Sequence, residues 1–222
     1  MKLGILFSGG KDSTFAAYLA KEYGNDIACL ITISSKNPFS HMFHTPSITS
    51  TKKQAEAMGI LWIDVETEGE KETELEDLKK AILKAKEEYD IDGVVTGAVE
   101  SVYQATRIQK ICNELDLEVF NPLWQKDQTE LLKNLLENKF EIIITGVAAY
   151  GLDKSWLGRK IDKKFIEDIK KLHDKYQLNQ AGEGGEFETL VLNCPLFSKK
   201  LEITEQKILT DGDNHRMEVT IK

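Results

Sequence analysis

The stretch LGILFSGGKDSTFAAYLA, residues 3–20, decides how the chain begins to fold. Residues 3–7 form an apolar run without polar alternation, the mark of a strand buried on both faces. Ser8-Gly9-Gly10 is a turn, and from Asp12 the apolar spacing becomes helical. A strand that turns through glycines into a helix start offers free N–H groups and the positive end of the helix dipole to an anion. The spacing excludes two familiar phosphate loops, G-x-x-x-x-G-K-[ST] and G-x-G-x-x-G. Here Gly9 and Gly10 are adjacent and Lys11 follows at once. What remains is a tight anion site, to which Ser8 and Ser13 add hydroxyls and Lys11 adds a point charge. Asp12 would repel a phosphate directly. It either holds a Mg²⁺ that bridges phosphates or serves as an acid in the first helical turn.

Outward from this stretch, further apolar runs occur at 27–34, 61–65, 93–96, 118–120 and 142–148. Helical patterns lie at 12–23, 48–58, 72–89, 102–115 and 127–138. Strand and helix in alternation predict an α/β fold with a doubly wound, mainly parallel, Rossmann-like sheet. The rhythm changes after Ala149. A helix at 161–176 precedes strands at 188–194, 201–208 and 216–221, with a turn at 210–213, which predicts a small C-terminal α+β lobe. The division is placed at 1–125 and 126–222, with the first unit extending at most to about 150. Thr96-Gly97 and Thr145-Gly146 both close apolar runs. Ligands of open α/β sheets bind outside the carboxyl ends of strands, and Gly97 is assigned there. Gly146 reads equally well as an ordinary strand-end turn.

The 222 residues suffice for one good core plus a small lobe. Apolar residues at 41% and charged residues at 30% describe a soluble globular chain. No apolar run approaches the ~20 residues that a membrane helix needs. Met1-Lys2 leads directly into a strand, leaving no room for a signal peptide. Cys29, Cys112 and Cys194 are odd in number, far apart and form no C-x-x-C pair. They read as buried thiols in a reducing, cytoplasmic setting. The net charge of −8 argues against a large nucleic-acid footprint. The dense lysines and glutamates of 71–88 read as a solvated helix face.

The motif SGGKDS resembles the PP-loop of the N-type ATP pyrophosphatases, the superfamily of GMP synthetase, NAD synthetase, asparagine synthetase and the tRNA-thiolating enzymes. The resemblance implies that the loop holds the pyrophosphate oxygens of ATP while a nucleophile attacks the α-phosphate. Pyrophosphate leaves and an adenylylated intermediate forms. Three further stretches narrow the resemblance: Ser101-Val102-Tyr103-Gln104-Ala105-Thr106-Arg107, then Pro122-Leu123-Trp124 with Asp127-Gln128, and GEGGEFETLV at 182–191. With SGGKDS they resemble the diphthine–ammonia ligase family, over a span from Leu3 to about Phe197. The chain ends soon after its second lobe and looks like a compact archaeal-type form, without the extra C-terminal domains of longer eukaryotic relatives.

That resemblance implies amidation, through an acyl-adenylate, of a carboxylate on a modified histidine of translation elongation factor 2. ATP and Mg²⁺ are consumed or used, ammonium is the donor, and AMP and pyrophosphate are released. It places ATP on Ser8, Gly9, Gly10, Lys11, Asp12, Ser13, Ile31 and Gly97, with Mg²⁺ on Asp12. It places catalysis on Lys11, Asp12, Glu183, Glu186 and Glu188. The acceptor side takes His44, Tyr103, Gln104, Arg107, Gly184, Gly185 and Thr189.

The residues can be read beside that scheme. Glu183, Glu186 and Glu188 can hold ammonium, take its proton or hold metal, or can simply be solvated acids of a loop. Glu186 and Glu188 share one face if the stretch is extended. The stretch lies far in sequence from the nucleotide loop and is therefore read as serving acceptor and ammonia. Tyr103 and Arg107 are one helical turn apart and share a face. His44 lies in the loop after the second strand, as a ligand-side or a surface residue. Two alternatives stay open: another PP-loop amide synthetase or thiolase with a different acceptor, and a non-catalytic adenine-nucleotide sensor. A thiolase normally shows paired cysteines and a basic surface, and a sensor does not need the Lys11-Asp12 pair. Nothing in the chain is long enough for a glutaminase, so free ammonium is the natural donor. No RNA substrate and no membrane partner are expected, and a homodimer is compatible with the sequence.

Overall fold

In a computed structural model, which describes residues 1–35, 48–68 and 73–222, the first apolar run becomes β1 (Lys2–Leu6). It lies at the centre of a five-stranded parallel sheet. β2 (Asp26–Ser35) and β3 (Leu61–Thr67) extend the sheet on one side, β4 (Gly93–Val95) and β5 (Glu118–Phe120) on the other. The order is β3-β2-β1-β4-β5, and every pairing is parallel. The chain winds outward from β1 to β3, then returns to β4 beside β1. The loops after β1 and β4 part at that reversal, which is where doubly wound sheets open a ligand crevice.

Alternate residues of the central strands enter two different cores, which is why polar alternation is missing. Leu3, Ile5 and Leu30 pack with Phe15, Ala16, Ala17 and Ala20 of α1 (Lys11–Glu22). Cys29, Ile31 and Ile63 pack on the opposite face with Leu78, Ala81 and Ile82 of α3 (Thr73–Tyr89), and with Ile108 and Cys112 of α4 (Val102–Glu114). Each fully buried large apolar side chain contributes about 1.5–3 kcal/mol against exposure. The three alanines of α1 are fully buried, and their small size lets the helix lie close against the sheet.

The last four strands form a separate antiparallel sheet. It comprises β6 (Glu141–Val147), β7 (Phe187–Asn193), β8 (Ile203–Asp211) and β9 (Asn214–Ile221), in the order β7-β6-β9-β8. Gly212-Asp213 makes the two-residue turn between β8 and β9. The run at 142–148 reads in sequence as one more parallel strand. In the structure it is an inner strand of this antiparallel sheet, and the reason is physical. Ile142 and Ile144 face the main core with α5 (Gln128–Glu137) and α6 (Lys163–Tyr176). Ile143 faces another cluster with Leu190, Met217, Val219 and Ala57, the last from α2 (Ile48–Met58). Both faces are covered, so the run is apolar throughout, whatever the direction of its partners.

One core cluster contains Phe15 of α1, Leu131 of α5, Ile144 of β6, Phe165 of α6 and Val191 of β7. The two sheets therefore share packing, and β7 is held beside the loop that follows β1. Among the described residues no helix is long and apolar enough to cross a membrane.

Candidate active site

A cleft of about 670 Å³ opens at the carboxyl ends of β1, β2 and β4. Ser8, Asp12 and Ser13 line one wall, Thr96, Gly97 and Ala98 a second, and the 182–185 loop with Phe187 and Glu188 a third. Ile31, Ile33, Leu78 and Ile108 give an apolar floor. A planar, apolar-faced ring fits such a floor, and an anion fits the helix start above it.

The helix start is shaped by its own hydroxyls. Gly9 has φ +78°, a left-handed conformation that favours glycine. Gly10 caps α1 without any side-chain hydrogen bond. The Lys11 N–H is taken by Thr189 Oγ1 at 3.0 Å, and Asp12 and Ser13 of the first turn line the cleft, so this end of the helix presents its positive dipole to a ligand there. Ser13 Oγ accepts from the Ser8 N–H at 3.2 Å and donates to the Gly10 carbonyl at 3.3 Å. The Ser8 and Ser13 hydroxyls are 3.1 Å apart. Gly97 is required by close approach. A Cβ there would sit 2.7 Å from the Ser13 nitrogen and 2.8 Å from the Asp12 carbonyl carbon.

Lys11 is 3% exposed. Its Nζ lies 2.6 Å from Asp12 Oδ2 and 5.7 Å from the centre of the Phe187 ring. Asp12 Oδ1 is buried and has no hydrogen-bond partner. A carboxylate oxygen in that condition is costly unless a cation meets it, and one carboxylate beside substrate phosphates is the usual protein share of a Mg²⁺ site. The residues therefore fit a divalent cation at Asp12 Oδ1.

Glu183 faces this pair. Burial raises its carboxyl to about 7, and the neighbouring Asp12 adds to the rise, while Lys11 and the Val99 and Glu100 N–H groups oppose it. Glu188 is also raised, by burial, against the pull of Arg216. The Arg216 guanidinium stands 3.6 Å from Glu188 Oε1, and Oε2 is buried without a hydrogen bond. Gly146 makes room for that carboxylate: a Cβ on it would lie 2.7 Å from Glu188 Oε2. Gly146 pairs with both Glu188 and Arg216 inside the sheet, so its role is to seat Glu188.

Glu186 behaves differently. Its carboxylate turns back on its own loop, accepting from the Asn179 N–H at 2.9 Å and the Gly184 N–H at 2.8 Å. The expectation that Glu186 and Glu188 share a face fails, because Glu186 lies just ahead of β7 and braces the loop backbone. Gly184 and Gly185 line the cleft. Thr189 does not point to an acceptor: its Oγ1 takes the Lys11 backbone N–H at 3.0 Å. The 182–191 stretch is thus built into the nucleotide loop as well, although almost the whole chain separates them in sequence.

Tyr103 and Gln104 line the cleft at the start of α4. Arg107 lies behind them, with its guanidinium carbon 3.3 Å from the Tyr103 ring centre and Nη1 donating to the Tyr103 carbonyl. Ile31 is on the apolar floor. His44 lies outside the described residues. Cys29, Cys112 and Cys194 are buried away from the cleft lining, and burial pushes each thiol up to about 12.

Sequence reading missed Gln54. It is fully buried on α2, and its Nε2 donates to the Gly9 carbonyl at 2.9 Å and to the Val191 carbonyl at 2.8 Å. The available signal was a polar residue among small ones, Thr51, Ala55 and Ala57, on the buried face of the helix.

Comparison with known proteins matches the two halves of the chain to one family. The model of the diphthamide synthase N-terminal domain matches residues 1–119, and that of the diphthamide synthase C-terminal domain matches residues 127–221. A diphthine–ammonia ligase of Danio rerio is 34% identical over 233 residues, covering 96% of this chain and 91% of that protein. The Bos taurus protein of that name is 32% identical, covering 95% and 85%, and the Rattus norvegicus protein is 33% identical, covering 96% and 87%.

Proposed function

The chain belongs to the diphthamide synthase family, and from that membership we infer that it is a ligase joining ammonia to the carboxylate of diphthine on elongation factor 2 at the expense of ATP. The observation that carries the reading is the meeting, in one cleft, of Ser8, Asp12 and Ser13 with the 182–185 loop and Glu188, with Asp12 and Glu183 close enough to affect each other's charge.

A carboxylate is a poor electrophile because its oxygen is a poor leaving group; transfer of AMP supplies a good one. ATP is placed with its base on Ile31, Ile33 and Leu78 and its phosphates at the N-terminus of α1. The helix dipole, the Ser8 hydroxyl and Lys11 then stabilise charge that builds on the departing pyrophosphate. Mg²⁺ at Asp12 Oδ1 supplies further neutralisation of the phosphate oxygens when bound. The acceptor carboxylate enters from the side of Tyr103 and Gln104 and attacks the α-phosphorus, and the P–O bond to pyrophosphate breaks. Ammonia then attacks the acyl carbon, the bond to AMP breaks, and the amide keeps the nitrogen. The proton shed by the attacking nitrogen goes to Glu183, a desolvated carboxylate at the mouth of the site. Glu188 adds negative charge that favours ammonium over neutral competitors.

Charge supports a cationic set of partners. Among the described residues the cleft lining includes Asp12, Glu183 and Glu188 and no lysine or arginine; Lys11 is buried and reaches the site through its ion pair with Asp12. With a net charge of −8, this suits ammonium and a basic protein surface better than RNA. The test is a product analysis of spent nucleotide with diphthine-bearing elongation factor 2. AMP and pyrophosphate that appear only with both acceptor and ammonium support the reading. ADP and phosphate as the products, or nucleotide turnover indifferent to the acceptor, overturn it.

A further inference from the structure

Gln54 lies outside every motif discussed so far, yet it is fully buried directly behind the nucleotide loop. Its amide nitrogen is shared between two backbone carbonyls, Gly9 at 2.9 Å and Val191 at 2.8 Å. Those two residues are themselves joined, since the Val191 N–H donates to the Gly9 carbonyl at 3.2 Å. Two residues earlier on the same strand, Thr189 Oγ1 accepts the Lys11 N–H. The loop after β1 is therefore fastened to β7 at Gly9 and at Lys11, and α2 locks the first fastening through one side chain. The assignment of the amide is fixed by its partners, because both are carbonyls and only an NH₂ can donate to them.

From this arrangement we infer that Gln54 is a positioning residue for the phosphates of ATP. The inference rests on the reading of the cleft as the ATP site. Gly9 holds φ +78°, and its carbonyl is held toward Gln54 between Ser8 on one side and Asp12 and Ser13 on the other, the three residues of this loop and helix start that line the cleft. Without the amide, the Gly9 carbonyl keeps only the longer bond from Val191, and the Val191 carbonyl loses its side-chain donor. The loop can then rotate, and Ser8, Asp12 and Ser13 leave their places in the cleft wall. The apolar floor is built by β1, β2, α3 and α4 and does not depend on Gln54. The residue therefore acts on phosphate binding and not on binding of the base. Its coupling to β7 also means that the strand carrying Glu188 and the loop carrying Lys11 hold position together.

The experiment is equilibrium binding by calorimetry to the full chain, with α,β-methylene-ATP and adenosine as probes, in the unaltered protein and in Gln54→Met. Neither measurement needs an acceptor, so the identity of the amidated substrate does not enter. Losing a donor to buried carbonyls predicts a Kd for α,β-methylene-ATP raised about tenfold or more, with adenosine changed by less than about twofold. Equal weakening of both ligands would mean general distortion and would overturn the inference, as would an unchanged Kd for both. If Gln54→Met does not fold, Thr189→Val removes one fastening with almost no change of shape. It should show the same split at about threefold, and absence of a split there overturns the inference equally. An unaltered protein that binds neither probe would overturn the ATP reading of the cleft and the clamp with it.

Discussion

Gly97→Ala should separate catalysis from folding. The new Cβ would stand 2.7 Å from the Ser13 nitrogen and 3.1 Å from the Ser13 Cα. Against an ordinary contact of 3.4 Å or more, the shortfall is about 0.7 Å. The obstructing atoms are backbone of the first turn of α1, so no side chain can rotate to relieve the clash. Either the loop after β4 or the start of α1 must retreat by most of that distance. Overpacking of this kind costs about 1–3 kcal/mol of stability, which a domain of ordinary stability survives. Catalysis is more sensitive, because a misplacement of about 1 Å can cost on the order of 100-fold in rate. The assay is steady-state AMP formation with saturating acceptor and ammonium, alongside thermal unfolding. Gly24→Ala is the control: Gly24 has φ +80° with open space around it, so it should lose stability without losing turnover. Turnover of Gly97→Ala within about twofold of the unaltered protein would refute the close-packing argument, since a 0.7 Å intrusion cannot leave the phosphate site undisturbed.

Lys11→Ala should lower AMP formation by about 3–4 kcal/mol of transition-state stabilisation, on the order of a hundredfold or more in kcat. A variant with unchanged turnover would remove Lys11 from the chemistry. Glu186→Gln replaces one of two acceptors for backbone N–H groups with a donor, and should cost about 1–3 kcal/mol in denaturant unfolding; an unchanged midpoint would show that the loop does not rely on the brace. The cysteines make a pH prediction. Their folded values of about 12 lie above the ordinary thiol value. Their contribution to stability is therefore full below the unfolded thiol pKa of about 8.5 and is lost as pH rises toward the folded value. A triple Cys→Ala variant should show a shallower alkaline loss of stability and unaltered turnover. Rapid modification of the native thiols by a disulfide reagent at neutral pH would contradict their burial.

The parallel sheet was readable because its signal is local. Leu3, Ile5, Leu30 and Ile31 are apolar in consecutive runs, and the helices between them carry their own periodicity. Direction of pairing is not local. The 142–148 run has the same apolar character as β1, yet it pairs antiparallel with β7 and β9. Burial on both faces is common to both arrangements, so the residues of β6 alone could not distinguish them. The candidate site divides in the same way. Ser8 to Ser13 announces itself by glycine spacing and charge. The contact of Thr189 with Lys11, and of Gln54 with Gly9 and Val191, joins residues distant in the chain through backbone atoms, which every residue possesses. Glu183, Glu186 and Glu188 are alike in sequence. Only the fold tells the desolvated carboxyl beside Asp12, the one seated on Gly146 and the one that braces a loop apart.

Transfer of ammonia to diphthine is read out by mass spectrometry of elongation factor 2 that carries diphthine. The factor is incubated with this protein, ATP and isotopically labelled ammonium, and the peptide containing the modified histidine is analysed. The diphthine carboxylate should become an amide containing the labelled nitrogen, only when ATP is present, and Glu183→Gln should slow the labelling. An unlabelled, unchanged diphthine peptide under conditions where the protein consumes ATP would contradict it.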